Sequence, residues 1–278
     1  MNEVIRRIHE KYGQLTEAQR RVADIVLGDP ACLALLTSSK LAQQAGVSEA
    51  TTVRFAMELG YSGYAEIKRA MQDGMMENRT LIKLQESVKD SDSRNCYTAA
   101  MRMDMENITR TMRYLDMAAL DLAVDRMCRA RQIFVLGRCR SEALALYLES
   151  VLKMLLDRTV LLTASNTLES IADVGDEDCV FAISFKRYSK ETVQIQRHCK
   201  GKGAFCIGLT DSSVSPLAEV SDLTFKVEVH SASLVDSYTA AISLINGILT
   251  RISQKNQEKS RKKLEVLEGL YKDVGIFY

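Results

Sequence analysis

Apolar residues in the first 75 positions recur every three or four residues, in short segments that polar residues and glycines separate. One segment follows Thr16, which has Gln19 three positions later, the spacing of a capping box. Gly28-Asp29-Pro30 is predicted to end that helix, because proline lacks the N–H that a helix interior needs. Three further helices are predicted to begin at Thr37, at Ser48 and after Gly63. This part of the chain is therefore predicted to be all-helical.

The pattern changes beyond Leu120, where apolar runs of strand length alternate with helical stretches. The runs are Ile133–Leu136, Val160–Thr163, Cys179–Ser184, Ala204–Leu209 and Leu223–Val229. Since they are apolar throughout, they suit strands that are buried on both faces of a parallel sheet. Helical stretches such as Glu142–Leu156 and Lys190–Lys200 complete a βαβ pattern. The predicted fold class is an all-α domain followed by an α/β domain with a doubly wound parallel sheet.

The boundary between these domains is predicted from a polar, mixed segment at residues 80–97, which leads into a helix from about Tyr97 to Leu115. The predicted parts are an N-terminal domain at 1–77, a linker and connecting helix at 78–110, the α/β domain at 111–256 and a C-terminal helical tail at 257–278. A Lys/Arg-rich stretch after residue 255 is interpreted as a solvated helix face.

Net charge gives no support for a nucleic-acid partner. The formal net charge is +1, whereas a strongly basic chain is the usual electrostatic footprint of DNA binding. Support for such a function has to come from pattern and local geometry.

The seven cysteines are scattered, without CxxC pairs or histidines at zinc spacing, so no metal site and no cofactor are predicted. No apolar run reaches the length of a membrane span, and the N-terminus has no apolar core typical of a secretory signal. We therefore expect a cytoplasmic protein with no membrane partner.

A helix-turn-helix is predicted at residues 41–55. Gly46 lies where a tight turn needs a positive φ, Val47 can fill the core, and Ser48 is placed to cap the next helix. At about 100° per residue, the side predicted to be buried consists of Thr52, Phe55, Ala56 and Leu59. The opposite side, free to face a major groove, consists of Glu49, Ala50, Val53 and Arg54. Arg54 can bind guanine or phosphate, and Thr51 can reach a phosphate oxygen. A plain helical hairpin would show the same turn and stays the alternative.

The stretch from Leu15 to Lys68 resembles the N-terminal domain of the RpiR/MurR-type regulators. It shows Leu-Ala-x-x-x-Gly-Val-Ser-x-x-Thr-x-x-Arg-Phe from Leu41, then Gly-Tyr-x-Gly-Tyr from Gly60. In that family the domain binds operator DNA, so the resemblance implies DNA contacts for Ser48, Thr51 and Arg54. Lys68 could touch the DNA backbone, with a plain surface charge as the alternative.

Hydroxyl side chains gather after the predicted strands, where helices begin and free N–H groups favour anions. If the strand order is 2-1-3-4-5, Ser141 and the loop 184–192 face each other across one crevice. Helix capping is the alternative for each of these hydroxyls, and it is favoured for Ser215 and Ser237.

Residues 120–252 resemble the SIS (sugar isomerase) fold, with its Gly-x-Gly-x-Ser, Ser-x-Ser-Gly-x-Thr and Thr-Asp-x-x-x-Ser-Pro-Leu patterns. The resemblance implies that a phosphosugar binds at Ser141, Ser189 and Thr192, with Ser184 nearby. Cys139 replaces the second glycine, and the second loop carries the additional residues 186–188. Three arginines in these loops could add charge to phosphate binding, select a carboxylate or form surface ion pairs: Arg138, Arg140 and Arg187.

The favoured hypothesis is a ligand-responsive regulator of carbohydrate-metabolism genes that binds double-stranded operator DNA as a homodimer or homotetramer. Its effector is expected to be a phosphorylated sugar or a related anion. The alternative is a sugar-phosphate isomerase, which would need a general base such as Glu191 or His230. No catalytic residue is assigned under the favoured hypothesis. The loop after the first strand lacks the glycines of a dinucleotide site.

Overall fold

The computed structural model describes residues 2–77 and 95–276. The chain divides into two compact units, Met1–Ser91 and Asp92–Tyr278. Most of the predicted linker, residues 80–97, lies outside the described residues. The helix predicted after it is the first described element of the second unit.

The first unit consists of short helices, as predicted. They are α1 (Glu3–Lys11), α2 (Glu17–Gly28), α3 (Pro30–Leu35), α4 (Ser38–Ala45), α5 (Glu49–Glu58) and α6 (Tyr64–Glu77). The capping box at the start of α2 is confirmed, because Gln19 N donates to Thr16 Oγ1 and Thr16 N donates to Gln19 Oε1. Pro30 begins α3, since a first helical position needs no N–H donor. Neither α1 nor α3 was predicted.

One hydrophobic core holds the first unit together. Its largest fully buried side chains are Ile8, Leu33, Leu41, Phe55, Leu59, Ile67 and Met71. They come from α1, α3, α4, α5 and α6 and from the residue after α5. Helix α5 therefore packs on this core through one of its faces.

The second unit contains a five-stranded parallel sheet. Its strands are β1 (Ile133–Gly137), β2 (Thr159–Leu162), β3 (Cys179–Ile183), β4 (Phe205–Thr210) and β5 (Leu223–Lys226). Their order is β2-β1-β3-β4-β5, the order under which Ser141 and the loop 184–192 were expected to face each other. Strands β1 and β3 are neighbours, but the chain continues from β1 to β2 on one side of the pair and from β3 to β4 on the other. The carboxyl ends of β1 and β3 therefore flank the topological switch point, where ligands bind in such folds.

The helices of the second unit cover both faces of this sheet. They are α7 (Cys96–Met112), α8 (Met117–Arg129), α9 (Ser141–Leu155), α10 (Thr167–Ser170), α11 (Lys190–Gly201), α12 (Thr239–Lys255) and α13 (Gln257–Val274). Alternate residues of β1 point to opposite faces of the sheet. Ile133 belongs to a hydrophobic cluster with side chains of α8, α9 and α12, whereas Phe134 belongs to a second hydrophobic cluster with side chains of α11.

Helix α7 is tied by polar contacts to the segment after β5, residues 227–238, which we call the post-β5 segment. Buried Asn107 donates through Nδ2 to the carbonyl oxygen of His230 at 2.7 Å. Thr111 Oγ1 accepts from Glu228 N at 3.0 Å. Asp104 accepts from the Ser237 hydroxyl and, at 2.9 Å, from that of Thr239.

No helix in residues 2–77 or 95–276 is long and apolar enough to cross a membrane. The same residues hold no group of three or more His, Cys, Asp or Glu that could bind a metal ion. The seven cysteines, all within the described residues, form no disulfide, and two of them, Cys96 and Cys139, are exposed.

Candidate nucleic-acid interface and ligand site

The turn between α4 and α5 has the predicted geometry. Gly46 has φ +62°, the left-handed conformation that glycine adopts most easily. Val47 N donates to Ala42 O at 3.0 Å, which closes the end of α4 in the manner of a Schellman motif.

Helix α5 presents the two faces predicted for a recognition helix. The buried side consists of Thr52, Phe55 and Ala56, with Leu59 directly after the helix. Glu49, Ala50 and Arg54 are exposed, and Thr51 and Val53 are half-buried. A helix with one exposed, mostly small-residue face can approach the edges of bases in a major groove.

Ser48 precedes α5, but its hydroxyl does not cap a backbone N–H as predicted. It lies 2.9 Å from the Thr51 hydroxyl instead. The prediction of a capping role is therefore wrong. The pair leaves two hydroxyls at the N-terminus of α5, where free N–H groups favour a phosphate oxygen. Glu49, next to them, accepts a hydrogen bond from the Ser38 hydroxyl.

Cations from α1 and α2 lie around α5 and were missed by the sequence analysis. Lys11 Nζ donates to Glu58 O at 2.6 Å and Arg7 Nη1 to Leu59 O at 3.1 Å, so both stabilise the C-terminal end of α5. Arg21 lies next to Gly46, with its Nη1 3.9 Å from the position of an added Cβ atom. Long-range contacts of this kind leave no local signal in the sequence.

Lys68, predicted to contact the DNA backbone, has an internal role. Its Nζ donates to Leu36 O at 2.8 Å and to Leu35 O at 3.2 Å, the carbonyls at the end of α3. Its ammonium group is held by this helix end, which weakens the expectation of a DNA contact.

In the second unit, the loop after β1 is shaped by Gly137 and Cys139. A Cβ atom on Gly137 would lie 2.5 Å from the carbonyl oxygen of Ser141, so only glycine allows α9 to begin so close to the strand. Cys139 keeps a positive φ of +56°, the conformation that the expected glycine would adopt. Ser141, the first residue of α9, is buried.

The loop after β3 brings three predicted hydroxyls together. Ser184 Oγ accepts from Ser189 N at 3.1 Å, and Ser189 Oγ caps α11 by accepting from Thr192 N at 3.2 Å. The Thr192 hydroxyl is buried and has no hydrogen-bond partner among the described residues. Arg187 is exposed and has a φ of +73°, so the additional residues of this loop adopt a strained turn.

Arg138 joins the loop after β1 to the start of α11. The buried guanidinium of Arg138 donates to Glu191 Oε1 at 2.7 Å, and also to Leu162 O and the Thr167 hydroxyl. Arg138 is thus a structural bridge, and the prediction that it could hold a phosphate is not supported by its contacts.

Tyr238, from the post-β5 segment, was missed by the sequence analysis. Its ring stacks on Phe185 with centroids 4.9 Å apart. Burial raises the pKa of its phenol, while the neighbouring Arg140 guanidinium and Ser141 hydroxyl act in the opposite direction. The tyrosine therefore reaches from β5 to the loop after β1.

Cations predominate in the loops after β1 and β3. The two loops carry Arg138, Arg140, Lys186, Arg187 and Lys190 against Glu142 and Glu191. A local excess of positive charge at two helix N-termini favours an anionic ligand.

The residues that an isomerase would need are engaged elsewhere. Glu191 is paired with Arg138, and His230 Nε2 lies 3.0 Å from Glu228 Oε2. Ser215 Oγ accepts from Ala218 N, which agrees with its favoured capping role. Ser237 Oγ accepts from Thr239 N and donates to Asp104, but the residue at the N-cap of α12 is Tyr238, so the capping role expected of Ser237 is not seen.

Comparison with known families assigns both units. Residues 2–77 match the helix-turn-helix domain of the rpiR family, and residues 127–251 match the SIS domain. The chain belongs to the RpiR family of helix-turn-helix transcriptional regulators. In this RpiR-type regulator the first match contains the α4–α5 turn, and the second extends from α8 into α12.

Two relatives of this RpiR-type regulator share most of its length. The HTH-type transcriptional regulator HexR of Pseudomonas aeruginosa is 28% identical over 233 residues, covering 82% of this chain and 79% of HexR. An HTH-type transcriptional regulator of Haemophilus influenzae is 27% identical over 226 residues, covering 79% and 77%. Both are HTH-type transcriptional regulators, so the enzyme alternative is not favoured.

Solved structures agree with this fold. The sugar isomerase domain of an RpiR transcription factor from Sphaerobacter thermophilus has 27% identity and a TM-score of 0.61, covering 63% of this chain and 98% of that domain. NanR of Vibrio vulnificus, solved in complex with ManNAc-6P, has 17% identity and a TM-score of 0.62 and covers 98% of both chains. The second likeness is one of fold.

Proposed function

We propose that this RpiR-type regulator controls carbohydrate-metabolism genes by changing its affinity for operator DNA when an anionic, phosphosugar-like effector binds. The observation that carries the DNA half is the division of α5 into a buried side and an exposed side that carries Arg54. In this proposal Arg54 reads base edges or phosphate, and Ser48 and Thr51 bind phosphate oxygens.

The effector half is supported by the loops after β1 and β3. They combine an excess of cations with hydroxyls at two helix N-termini, and the buried Thr192 hydroxyl has no partner among the described residues. A buried hydroxyl without a partner is unfavourable, and a ligand oxygen would satisfy it. We assign Ser141, Ser184, Ser189 and Thr192 to phosphate binding. We assign the exposed Arg187 to the edge of the same site, where its charge favours the anion.

The switch requires two states with different affinities for DNA and effector. Because one short recognition helix reads few bases, two copies about one helical turn apart are normally needed. We therefore propose a homodimer or homotetramer that acts in the cytoplasm, where operator DNA is found.

A gel-shift experiment tests the proposal as a whole. The duplex is the region upstream of the regulator's own gene, with a scrambled duplex of equal composition as competitor. We expect a sequence-specific shift that an added phosphosugar, either ManNAc-6P or glucose 6-phosphate, strengthens or weakens. Arg54→Ala should abolish the shift without unfolding the protein, and Arg6→Ala, an exposed arginine of α1, is the control. The absence of any specific shift at moderate salt would contradict the proposal.

Thr192→Val tests the effector site separately. Valine matches the volume of threonine and removes only the hydroxyl that lacks a partner, so the folded state should not lose stability. We expect at least a tenfold loss of affinity for the phosphosugar that is active in the gel shift, measured by calorimetry, with DNA binding intact. An unchanged affinity for the phosphosugar would show that Thr192 does not bind it. Turnover of the same phosphosugar would instead favour the isomerase.

A further inference from the structure

Tyr238 lies where the post-β5 segment meets both the proposed effector site and α7. Its ring stacks on Phe185 of the loop after β3, with centroids 4.9 Å apart. Its two neighbours in the sequence, Ser237 and Thr239, donate from their hydroxyls to the carboxylate of Asp104 on α7, Thr239 at 2.9 Å. A tyrosine beside the effector loops is therefore flanked by the two residues that hold α7.

The phenol of half-buried Tyr238 is placed to bind an anion. Its oxygen lies beside the Arg140 guanidinium and the Ser141 hydroxyl, and both groups act as donors toward it. A phenol that accepts hydrogen bonds from its neighbours still has its own proton to donate. Because Ser141 belongs to the phosphate site proposed above, an oxygen of the same ligand can accept that proton.

The post-β5 segment is suited to pass on a displacement of Tyr238. Residues 227–238, all of them described, form neither a helix nor a strand. Segments without regular backbone hydrogen bonding shift at a lower free-energy cost than the elements on either side. A ligand that draws Tyr238 toward the loop after β1 can therefore move this segment without disrupting the sheet.

Helix α7 is fixed to the post-β5 segment by directional polar contacts. Asp104, Asn107 and Thr111 are three and four positions apart and so lie on one face of the helix. Asn107 donates to the carbonyl of His230, and Thr111 accepts from the N–H of Glu228. Hydrogen bonds weaken steeply when their geometry is lost, so these contacts fix one position of α7 against the segment. Since α7 is the first described element after the linker, it also leads along the chain to the DNA-binding unit.

We propose that Tyr238 is a further effector-binding residue and that Asp104 couples it to α7. In this proposal the phenol donates to a phosphate oxygen of the effector, and Ser237 and Thr239 pass the displacement to Asp104. The inference deepens the proposed function and rests on its phosphosugar-responsive regulator, because it names residues that link the two ligands. Such coupling needs an element whose arrangement both ligands bias, and α7 with the post-β5 segment is that element.

Tyr238→Phe tests the effector contact. Phenylalanine keeps the stack on Phe185 and removes only the phenol oxygen, so the fold should be retained. We expect the affinity for inorganic phosphate and for the more active of ManNAc-6P and glucose 6-phosphate, measured by calorimetry, to fall about tenfold, the size of one hydrogen bond to a charged group. Binding of operator DNA without effector should not change. An unchanged affinity for both ligands, or binding of neither by the wild type, would overturn the contact.

Asp104→Ala tests the coupling. This variant removes the acceptor of Ser237 and Thr239 but changes no residue assigned to either ligand. We expect phosphosugar and operator DNA each to bind alone as they do in wild type, while the effect of the phosphosugar on operator affinity, about fivefold or more in wild type, is lost. Asp121→Ala is the matched control, because its carboxylate joins α8 to α12 through Arg251, and it should keep the full effect. An Asp104→Ala protein that responds like wild type would overturn the coupling.

A second variant removes the same hydrogen bonds from the other side. Ser237→Ala with Thr239→Val should lose the phosphosugar effect as Asp104→Ala does, and it replaces Asp104→Ala if that protein does not fold. Combining all three substitutions should cause no further loss, because residues that act through one contact are not additive. Additive losses would show that the carboxylate and the hydroxyls act independently, which contradicts the proposed link.

Hydrogen exchange separates this inference from the proposed function, because it needs no DNA. Adding the phosphosugar to the wild type should slow amide exchange in residues 227–238 and in α7, and the change in α7 should be absent from Asp104→Ala. If that pattern is found but no protein binds DNA specifically, the coupling stands and the proposed function fails. If the phosphosugar changes operator affinity equally in wild type and in Asp104→Ala, the coupling is wrong and the regulator stands.

Discussion

Single residues decide the shape of the loop after β1. In the SIS pattern, Cys139 stands where the second glycine of this loop is expected. The structure shows that the residue keeps glycine's left-handed backbone, at φ +56°, with an exposed side chain. A non-glycine residue in this conformation costs about 1–2 kcal/mol. The strain of this loop therefore lies in its backbone at Cys139.

Gly137 is the residue of this loop that cannot change. In Gly137→Ala the new Cβ would meet backbone atoms of Ser141 at 2.5 and 2.8 Å, so α9 would have to move. We expect a loss of about 1–3 kcal/mol in the free energy of unfolding, measured by urea denaturation. Gly175→Ala is the matched control, because its Cβ meets nothing within 4 Å. If the two substitutions lower the free energy of unfolding equally, the close approach of Ser141 to Gly137 does not limit stability.

At the scale of elements, a charged cluster joins the post-β5 segment to Tyr114, two residues after α7 ends. Glu228 accepts a hydrogen bond from Tyr114 and pairs with Lys226 and His230 at 3.2 and 3.0 Å. Burial raises the pKa of Glu228, but these partners outweigh it, so the pKa lies below its usual value. The ionised form therefore stabilises the folded state.

A pH dependence follows from this depressed pKa. The stabilisation is present above the pKa of an unfolded glutamate, about 4.3, and is lost as pH falls through the lower folded value. Glu228→Gln should lower stability at pH 7 and leave little difference from wild type at the acid end. Urea denaturation of the wild type and of Glu228→Gln between pH 7 and pH 3 measures this difference in stability. A constant difference across this range would exclude Glu228 as the source.

Local signals predicted some elements and missed others. Thr16 with Gln19, and Gly46 with its turn, act over a few residues and were predicted correctly. Helix α1 was not predicted, although its Arg7 and Lys11 bind the end of α5. Lys68 was given a surface role because its partners at the end of α3 are distant in the sequence. Contacts between separate elements leave no pattern in one segment.

For the whole molecule, each unit has its own hydrophobic core. Phe55 is among the largest fully buried side chains of the first unit and Phe181 of the second. Phe55→Ala should destabilise the first unit by about 3–5 kcal/mol and Phe181→Ala the second by a similar amount. Hydrogen exchange of amides in α5 and β3 would report each separately. Equal loss of protection in both units from one substitution would show that they unfold together.

The ligand site was predicted in part. The serines at the helix starts follow from the spacing of the buried runs, and the strand order that the sequence analysis assumed is the order observed. Tyr238 could not be predicted, because it reaches the loop after β1 from the far end of the sheet order. Arg138 forms an ion pair, which is one of the roles that the sequence analysis left open, but its partner Glu191 lies 53 positions away and could not be named from the sequence.

The polar attachment of α7 also sets where the C-terminal unit can be cut. The SIS match begins at residue 127, but a fragment starting there would lack Asn107 and Thr111. The carbonyl of His230 and the N–H of Glu228 would lose their partners, and Leu244 and Ile248 would lose the cover of α7 and most of α8. The smallest fragment worth expressing for crystallisation or ligand screening therefore begins at about residue 92, some 35 residues before the family boundary.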